Sequence, residues 1–372
     1  MNRYVKKLAL MVPYIKGYYE EIERLRSRGI KYLNCGLIND FNLVFYGWRF
    51  ETGDECMSFC CMSNLKYPVA ALCETAEESI KAIIKLRAEI MAENIRLRLL
   101  GRYNANKNRF FSLECEKCPH FCLNNWDESD GLIHSIVLSL YPSPCQCRCI
   151  YCTVPQSFSM QQFHTESYKK VFAIIEWAQE NGMTSRDLRW QVSSGEITIH
   201  PLRDRIFSLV NDQTATFFTN CFIFDEKIAA NLAANPQSSI SFSVDSGTSE
   251  TWHKVKGVDN FDTVIENLER YIASGACPDQ IRLKYIILPG VNDNKEDYRS
   301  IIGIMNRLEI RHLMVSIDDN TKQNEIPVRQ MGYLLAMLRK NGSKTEFSCG
   351  SVQGETGRIS IFADELLESG EV

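Results

Sequence analysis

Between Tyr141 and Cys152 the chain reads Tyr-Pro-Ser-Pro-Cys-Gln-Cys-Arg-Cys-Ile-Tyr-Cys. Cys145, Cys149 and Cys152 stand at C-x3-C-x2-C spacing, with an aromatic, Tyr151, just before the last. Three thiolates this close can hold three irons of one 4Fe–4S cluster and leave the fourth iron without a protein ligand. Zinc sites prefer paired C-x2-C motifs, and ferredoxin-type clusters bring a fourth cysteine. Cys147 lies off this spacing and reads as a bystander.

A second group of thiols lies upstream. Cys115 and Cys118 form a C-x2-C pair, which grips one metal because both sulfurs reach one point across a tight turn. Two ligands do not complete a site. Cys35 and either Cys60 or Cys61 are the best remaining donors, with Cys122 a competitor. Cys56 and Cys73 read as buried small apolar side chains. In a small secreted chain, 15 cysteines would indicate disulfides. Their close spacing in an enzyme-sized chain favours metal or Fe–S ligation in a reducing compartment, so a cytoplasmic location is expected.

The elements that must position these groups follow from periodicity. Residues 1–30 read as an amphipathic helix and 31–73 as β-like, with a strand over 41–46. A helix over 76–99 stops near Gly101. From Leu132 strands and helices alternate. Strands are expected at 136–140, 188–192, 216–220, 240–245, 281–288 and 312–317. Helices are expected at 166–179, 202–210, 225–234, 261–274, 295–308 and 328–340. Six βα repeats imply a parallel sheet with outer helices, and polar residues gather after the strands, where barrel enzymes place their chemistry. The tail reads as two strands, 345–349 and 359–362, before an acidic frayed end.

The 372 residues are 45% hydrophobic and 24% charged, with a net charge of −4. That is ordinary globular composition and argues against nucleic acid or an anionic membrane as partner. No apolar run reaches the roughly 20 residues a membrane helix needs. The apolar stretch Leu8–Val12 is too short for a signal peptide, and no small-residue cleavage site follows it.

The cysteine triplet and the strand ends after it resemble the radical S-adenosylmethionine (SAM) superfamily. The triplet follows the first strand of the βα series. Ser194-Gly195-Glu196-Ile197 resembles the family's Gly-Gly-Glu-Pro motif, with Ser and Ile at its ends. Phe218-Thr219-Asn220-Cys221 is similar to the family's Thr-Asn-Gly, with Cys for Gly. Ser241 to Thr248, then Lys254-Val-Lys256-Gly257 and Phe261-Asp262-Thr263-Val264, resemble the fourth strand and the helix after it. The resemblance covers about 133–320.

The resemblance implies a partial (β/α)6 TIM-type barrel over 132–342 in an α/β fold. It also implies a C-terminal strand and tail over 343–372. Cys145, Cys149 and Cys152 would hold a 4Fe–4S cluster whose open iron binds SAM. Glu196 and the backbone at Ser194 and Gly195 would orient the SAM ammonium, with Glu196 the expected catalytic residue. Tyr151, Thr219, Asn220, Ser243, Asp245 and Lys284 are the further cofactor or substrate candidates, with Asn292 beside them. Ser243 and Asp245 would share a face by strand alternation, and Phe217, Phe218 and Phe242 would exclude water. SAM cleavage by a reductant such as flavodoxin or ferredoxin would give a 5′-deoxyadenosyl radical that abstracts hydrogen from a substrate.

The upstream thiols resemble auxiliary-cluster regions of SPASM or twitch type, here placed before the barrel. An N-terminal cysteine-rich α+β domain over 1–131 is therefore expected. Its second 4Fe–4S cluster would sit on Cys35, Cys60 or Cys61, Cys115 and Cys118, with zinc as the rival. Such regions accompany peptide or protein modification, so a peptide side chain ranks first as substrate, for crosslinking, epimerisation or oxidation. A sugar or nucleotide-linked carbohydrate ranks second. An electron-transfer or binding protein without SAM turnover is the alternative of another class.

Overall fold

The computed structural model describes residues 24, 27–29, 32–46, 55–60, 69–99, 118, 120–124, 130–139, 144–152, 165–193, 195–318, 327–347 and 355–372. Most of the expected first helix, and Cys61, Cys115, Ser194 and Cys349, lie outside the described residues. Two compact units form, one from 1–142 with 162–194 and one from 143–161 with 195–372.

In the first unit β1 (Tyr32–Cys35) leads into one helical turn, α1 (Gly36–Asn39), and then into β2 (Asn42–Tyr46). β3 (Cys56–Ser58) and β4 (Ala70–Ala71) continue antiparallel beside β2. α2 (Ala76–Leu99) starts at a reciprocal cap. Thr75 Oγ1 accepts from Glu78 N at 3.2 Å, and the Glu78 carboxylate accepts from Thr75 N at 3.3 Å. Arg87 of α2 is buried, and its guanidinium donates to the Ile38 and Asn39 carbonyls at 2.8 Å each, which pins α1. β5 (Phe121–Asn124) pairs antiparallel with β1. β6 (Ile133–Ser139), α3 (Thr165–Glu180) and β7 (Thr184–Val192) complete the unit, with β2, β6 and β7 parallel. Cys56 is buried as expected, but Cys73 is half-exposed, its thiol 3.8 Å from the Ala71 carbonyl.

In the second unit α4 (Arg203–Val210), β8 (Thr214–Phe218), α5 (Glu226–Ala234), β9 (Ser239–Ser243), α6 (Ser249–Lys256) and α7 (Phe261–Ala273) follow in order. Then come β10 (Ile281–Ile287), α8 (Lys295–Arg307), β11 (His312–Ile317), α9 (Val328–Lys340), β12 (Lys344–Phe347) and α10 (Thr356–Ser369). β8 to β12 are neighbours in sequence order, and each adjacent pair runs parallel. Asp225 caps α5 as expected, accepting from Lys227 N and Ile228 N at 2.9 and 3.3 Å. From β6 with α3 to β11 with α9, six strand–helix steps run along the chain. This is the series of a partial (β/α)6 barrel, and the fold class is α/β as expected.

Alternation sorts strands β8 to β11 into two faces. Phe217, Ile240, Phe242, Leu283, Tyr285, Leu313 and Val315 are buried at 2% exposure or less on one face. Phe218, Ser241, Ser243, Arg282, Lys284, His312 and Met314 occupy the other, which is partly open. Phe217 and Phe242 therefore cannot wall a site at the open face. They pack on Phe207 of α4 and Trp252 of α6, with ring centroids 5.8 and 6.1 Å apart. Only Phe218, 36% exposed, stands where that role was expected.

Two expectations fail at the tail. Residues 359–362 belong to α10, because Ile359, Ala363 and Leu366 repeat at helical spacing and are buried together. Gly332 of α9 admits this helix, since a Cβ there would lie 2.7 Å from the Phe362 ring. The acidic end is tied rather than frayed. Gly370 closes α10 at φ 73°, and Lys340 Nζ donates to the Val372 carbonyl at 2.6 Å.

Candidate active site around the cysteine loop

Residues 144–152 have no regular structure, and their shape is set by a helix end. α6 stops at Gly257, φ 69°, leaving its last carbonyls without intrahelical partners. The loop supplies them. Arg148 N donates to the Lys256 carbonyl at 2.8 Å and Ile150 N to the Val255 carbonyl at 3.0 Å. Gly257 is also where the backbones meet, since a Cβ there would lie 3.1 Å from the Arg148 Cβ. A third tie runs from Glu196 N to the Pro144 carbonyl at 2.9 Å, and Cys152 N closes a turn on the Cys149 carbonyl at 3.0 Å.

Tyr151 is fixed at its hydroxyl. It donates to Asp245 Oδ2 at 2.5 Å and accepts from Lys256 Nζ at 2.7 Å, while Lys256 Nζ also reaches Asp245 Oδ2 at 2.5 Å. Asp245 and Lys256 are buried, and Asp245 Oδ1 takes Ile286 N at 2.6 Å. β9 ends at Ser243, and Asp245 sits at φ 48°, so the expected strand alternation does not extend to it. Its carboxylate is committed to internal partners rather than turned to a ligand. Burial lowers the Lys256 ammonium, but the charges of Asp245 and of a Cys149 thiolate outweigh it, and the net shift is upward. Lys256 thus joins the site through Tyr151 and Asp245, a contact that the Lys254–Gly257 resemblance does not imply. The signal for it was a lysine directly before a helix-ending glycine.

Glu196 is fully buried beside the three-residue 3-10 turn Ile197–Ile199. Its Oε1 accepts from Thr198 N at 3.1 Å, Thr198 Oγ1 at 2.7 Å and Thr219 Oγ1 at 2.8 Å, and its Oε2 from Asn220 N at 2.6 Å. Burial raises its carboxyl above the ordinary range against these four bonds, which lower it. The acid therefore faces inward and joins the Gly195 turn to the end of β8. Gly195 has φ 54°, which suits glycine, and Cys221 adopts φ 57° while fully buried. The glycine of the resembled motif matches a left-handed position that this chain fills with cysteine.

Asn220, held by Glu196, carries its side-chain amide to the thiols. Nδ2 lies 3.5 Å from Cys147 Sγ and 3.8 Å from Cys145 Sγ. Cys147 also hydrogen-bonds the thiols of Cys145 and Cys149, which lowers Cys145, brings Cys149 down to about 6 and raises Cys147. Cys147 thus stands inside the thiol group, not apart from it. Among the described residues no three His, Cys, Asp or Glu side chains converge on one metal ion. A cluster asks for something else, thiolates spread over separate irons. The donor set fits that demand, with Cys145 and Cys152 exposed and Cys149 half-buried. A buried Gln146 Oε1 in the same loop has no donor, which leaves an acceptor for an ammonium.

Ser243 and Lys284 are paired in register on the open face, both half-buried, and Lys284 forms no ion pair among the described residues. Asn292 is fully buried. It donates to the Asp245 and Ile286 carbonyls and accepts from Leu288 N, so it shapes the backbone and is not a ligand contact. Asp297 does similar work on the next turn, accepting from Gly247 N at 2.7 Å and Thr251 Oγ1 at 2.8 Å.

In the first unit, β1 and β5 place Cys35 opposite Phe121, and Gly36 N donates to the His120 carbonyl at 2.6 Å. The segments of Cys35 and Cys118 therefore adjoin. Cys60 follows Phe59, whose carbonyl takes Asn42 Nδ2 at 2.8 Å.

A family model described as the Radical SAM superfamily matches residues 143–301. No curated protein sequence matches the chain. Among solved structures, Streptococcus suis SuiB bound to precursor peptide SuiA is similar at 13% identity, with TM-score 0.45, over 87% of this chain and 74% of that one. The anSMEcpe structure with bound AdoMet and Cp18Cys peptide is similar at 14% identity, with TM-score 0.42, over 57% and 62%. A radical SAM methyltransferase from Sphaerobacter thermophilus is similar at 17% identity, with TM-score 0.37, over 50% and 58%. No helix among the described residues is long and apolar enough to cross a membrane.

Proposed function

Because this chain is a radical SAM enzyme, its domain of that superfamily spanning residues 143–301, we propose that Cys145, Cys149 and Cys152 hold its cluster and that it modifies a peptide or protein side chain. When bound, a 4Fe–4S cluster with SAM on its open iron supplies a 5′-deoxyadenosyl radical that abstracts hydrogen from an unactivated carbon. The observation that carries the cluster assignment is the docking of the loop on the end of α6, with the Asn220 amide directed at the thiols.

The chain's own residues bind and orient. Tyr151, anchored on Asp245 and Lys256, fixes the peptide between Cys149 and Cys152. Glu196 is a positioning residue. It sets the Gly195 turn and Asn220 and meets no ligand itself. The acceptor for the SAM ammonium then comes from the Gly195 turn and Gln146 Oε1. Ser243, Thr219 and Lys284 border the path to substrate.

The peptide assignment rests on the upstream thiols. Cys35 and Cys118, on adjoining segments, would join Cys115 and one of Cys60 and Cys61 around a second 4Fe–4S cluster within 1–131, with zinc as the alternative. A specific observation favours the carbohydrate reading as second. Arg282 and Lys284 share the open face of β10, and neither has a carboxylate partner among the described residues, which suits a phosphate-bearing substrate.

Deuterium transfer distinguishes the two. Extract from deuterated cells lacking the enzyme is separated into peptide and small-anion fractions and given to the reconstituted enzyme with SAM and reductant. Deuterium entering 5′-deoxyadenosine from the peptide fraction supports the first reading. Label arriving only from the small-anion fraction replaces it with the second.

A further inference from the structure

We propose that Cys147 is a ligand of the fourth iron while SAM is absent, and that SAM displaces it. This rests on the reading that Cys145, Cys149 and Cys152 hold a cluster. A cysteine closed off from any ligand looks like Cys221, which is fully buried. Cys147 is different. It is half-buried in the cysteine loop, and its sulfur lies 3.5 Å from the Asn220 amide that also meets Cys145.

The spacing supports the same role. Cys147 lies two residues from Cys145 and two from Cys149. The Asn220 amide lies within 3.8 Å of both the Cys145 and the Cys147 sulfur, so Cys147 belongs to the same group of thiols. A soft thiolate is the ligand an open iron prefers in the absence of a chelator. Exchange would balance: the amino and carboxylate groups of SAM would take the iron site, the bond from Cys147 sulfur would break, and the proton that the SAM ammonium gives up on binding would pass to the released thiolate. No electron moves.

The test uses the full chain, reconstituted anaerobically, as wild type and as Cys147→Ala and Cys147→Ser. Each is treated with ferricyanide, and 3Fe–4S cluster is counted by electron paramagnetic resonance. A Cys145→Ala/Cys149→Ala/Cys152→Ala variant supplies the background of any other cluster. Without SAM, Cys147→Ala is expected to give several-fold more 3Fe–4S signal than wild type, and prior SAM abolishes the difference. The apparent Kd for SAM falls roughly threefold or more in the variant, because no internal ligand has to leave. Circular dichroism matched to wild type shows that the variants are folded. Equal 3Fe–4S yields and equal Kd values would overturn the role of Cys147 alone. A wild type with no cluster dependent on Cys145, Cys149 and Cys152 would overturn the cluster reading and this inference with it.

Discussion

Lys256 Nζ lies 2.5 Å from Asp245 Oδ2, and the two side chains are 3% and 0% exposed. A buried pair of this kind adds little net stability, but removing one partner leaves a charge without water or counter-ion. Lys256→Met is therefore expected to cost about 3–5 kcal/mol, measured by urea unfolding of the apoprotein. Lys256→Met with Asp245→Asn should recover part of that loss. No recovery in the double variant would mean that packing around the lysine stem, not its charge, holds the loop.

Glu196→Gln tests the inward-facing acid. Glutamine presents one acceptor where Glu196 receives four hydrogen bonds, three on Oε1 and one on Oε2, so Asn220 N or the Thr198 and Thr219 donors lose their partner. A loss of about 1–3 kcal/mol is expected. Iron content should stay at the wild-type level while the KM for SAM rises. A variant that binds SAM normally would contradict the positioning role.

Gly247 meets Asp297 backbone to backbone. A Cβ there would fall 2.1 Å from the Asp297 carbonyl oxygen, and that atom cannot swing away like a side-chain tip. Gly247→Ala should cost about 1–3 kcal/mol or more, read as a lowered Tm. An unchanged Tm would show that the 245–251 turn is free to shift.

His200 gives the pH dependence. Burial brings its imidazole down to about 4 from 6.5, and Nδ1 accepts from Leu202 N at 3.1 Å, which requires that nitrogen to be unprotonated. Between those values the unfolded chain binds the extra proton. The contribution is complete above about pH 6.5 and is lost as pH falls toward 4, amounting to about 3 kcal/mol. In His200→Gln the fall in urea midpoint over this range should be shallower. An equal slope in the variant would remove His200 from the account.

Spacing made the cysteine loop legible, and period made the βα series legible, because thiol intervals and apolar repeats are local properties. What failed was set by tertiary partners. Lys256 and Asp245 look like ordinary surface charges until the chain turns at φ 48° and brings them together beneath Tyr151. Phe217 and Phe218 differ by one residue and so face opposite sides of β8, which composition cannot reveal. Ile359–Phe362 suits a strand in a four-residue window, and only Ala363 and Leu366 beyond it disclose the helix. The charged α6 gave no apolar run to mark it, yet its end is what shapes the site.

The central claim is SAM cleavage at the Cys145, Cys149 and Cys152 loop. Its most direct measurement is 5′-deoxyadenosine formed anaerobically from SAM and dithionite by the fully iron-loaded chain. The account predicts 5′-deoxyadenosine and methionine in equal amounts from wild type, and none from Cys145→Ala, Cys149→Ala or Cys152→Ala. A wild type that carries its full iron and sulfide but forms no 5′-deoxyadenosine, or a Cys149→Ala variant that still forms it, would contradict the account.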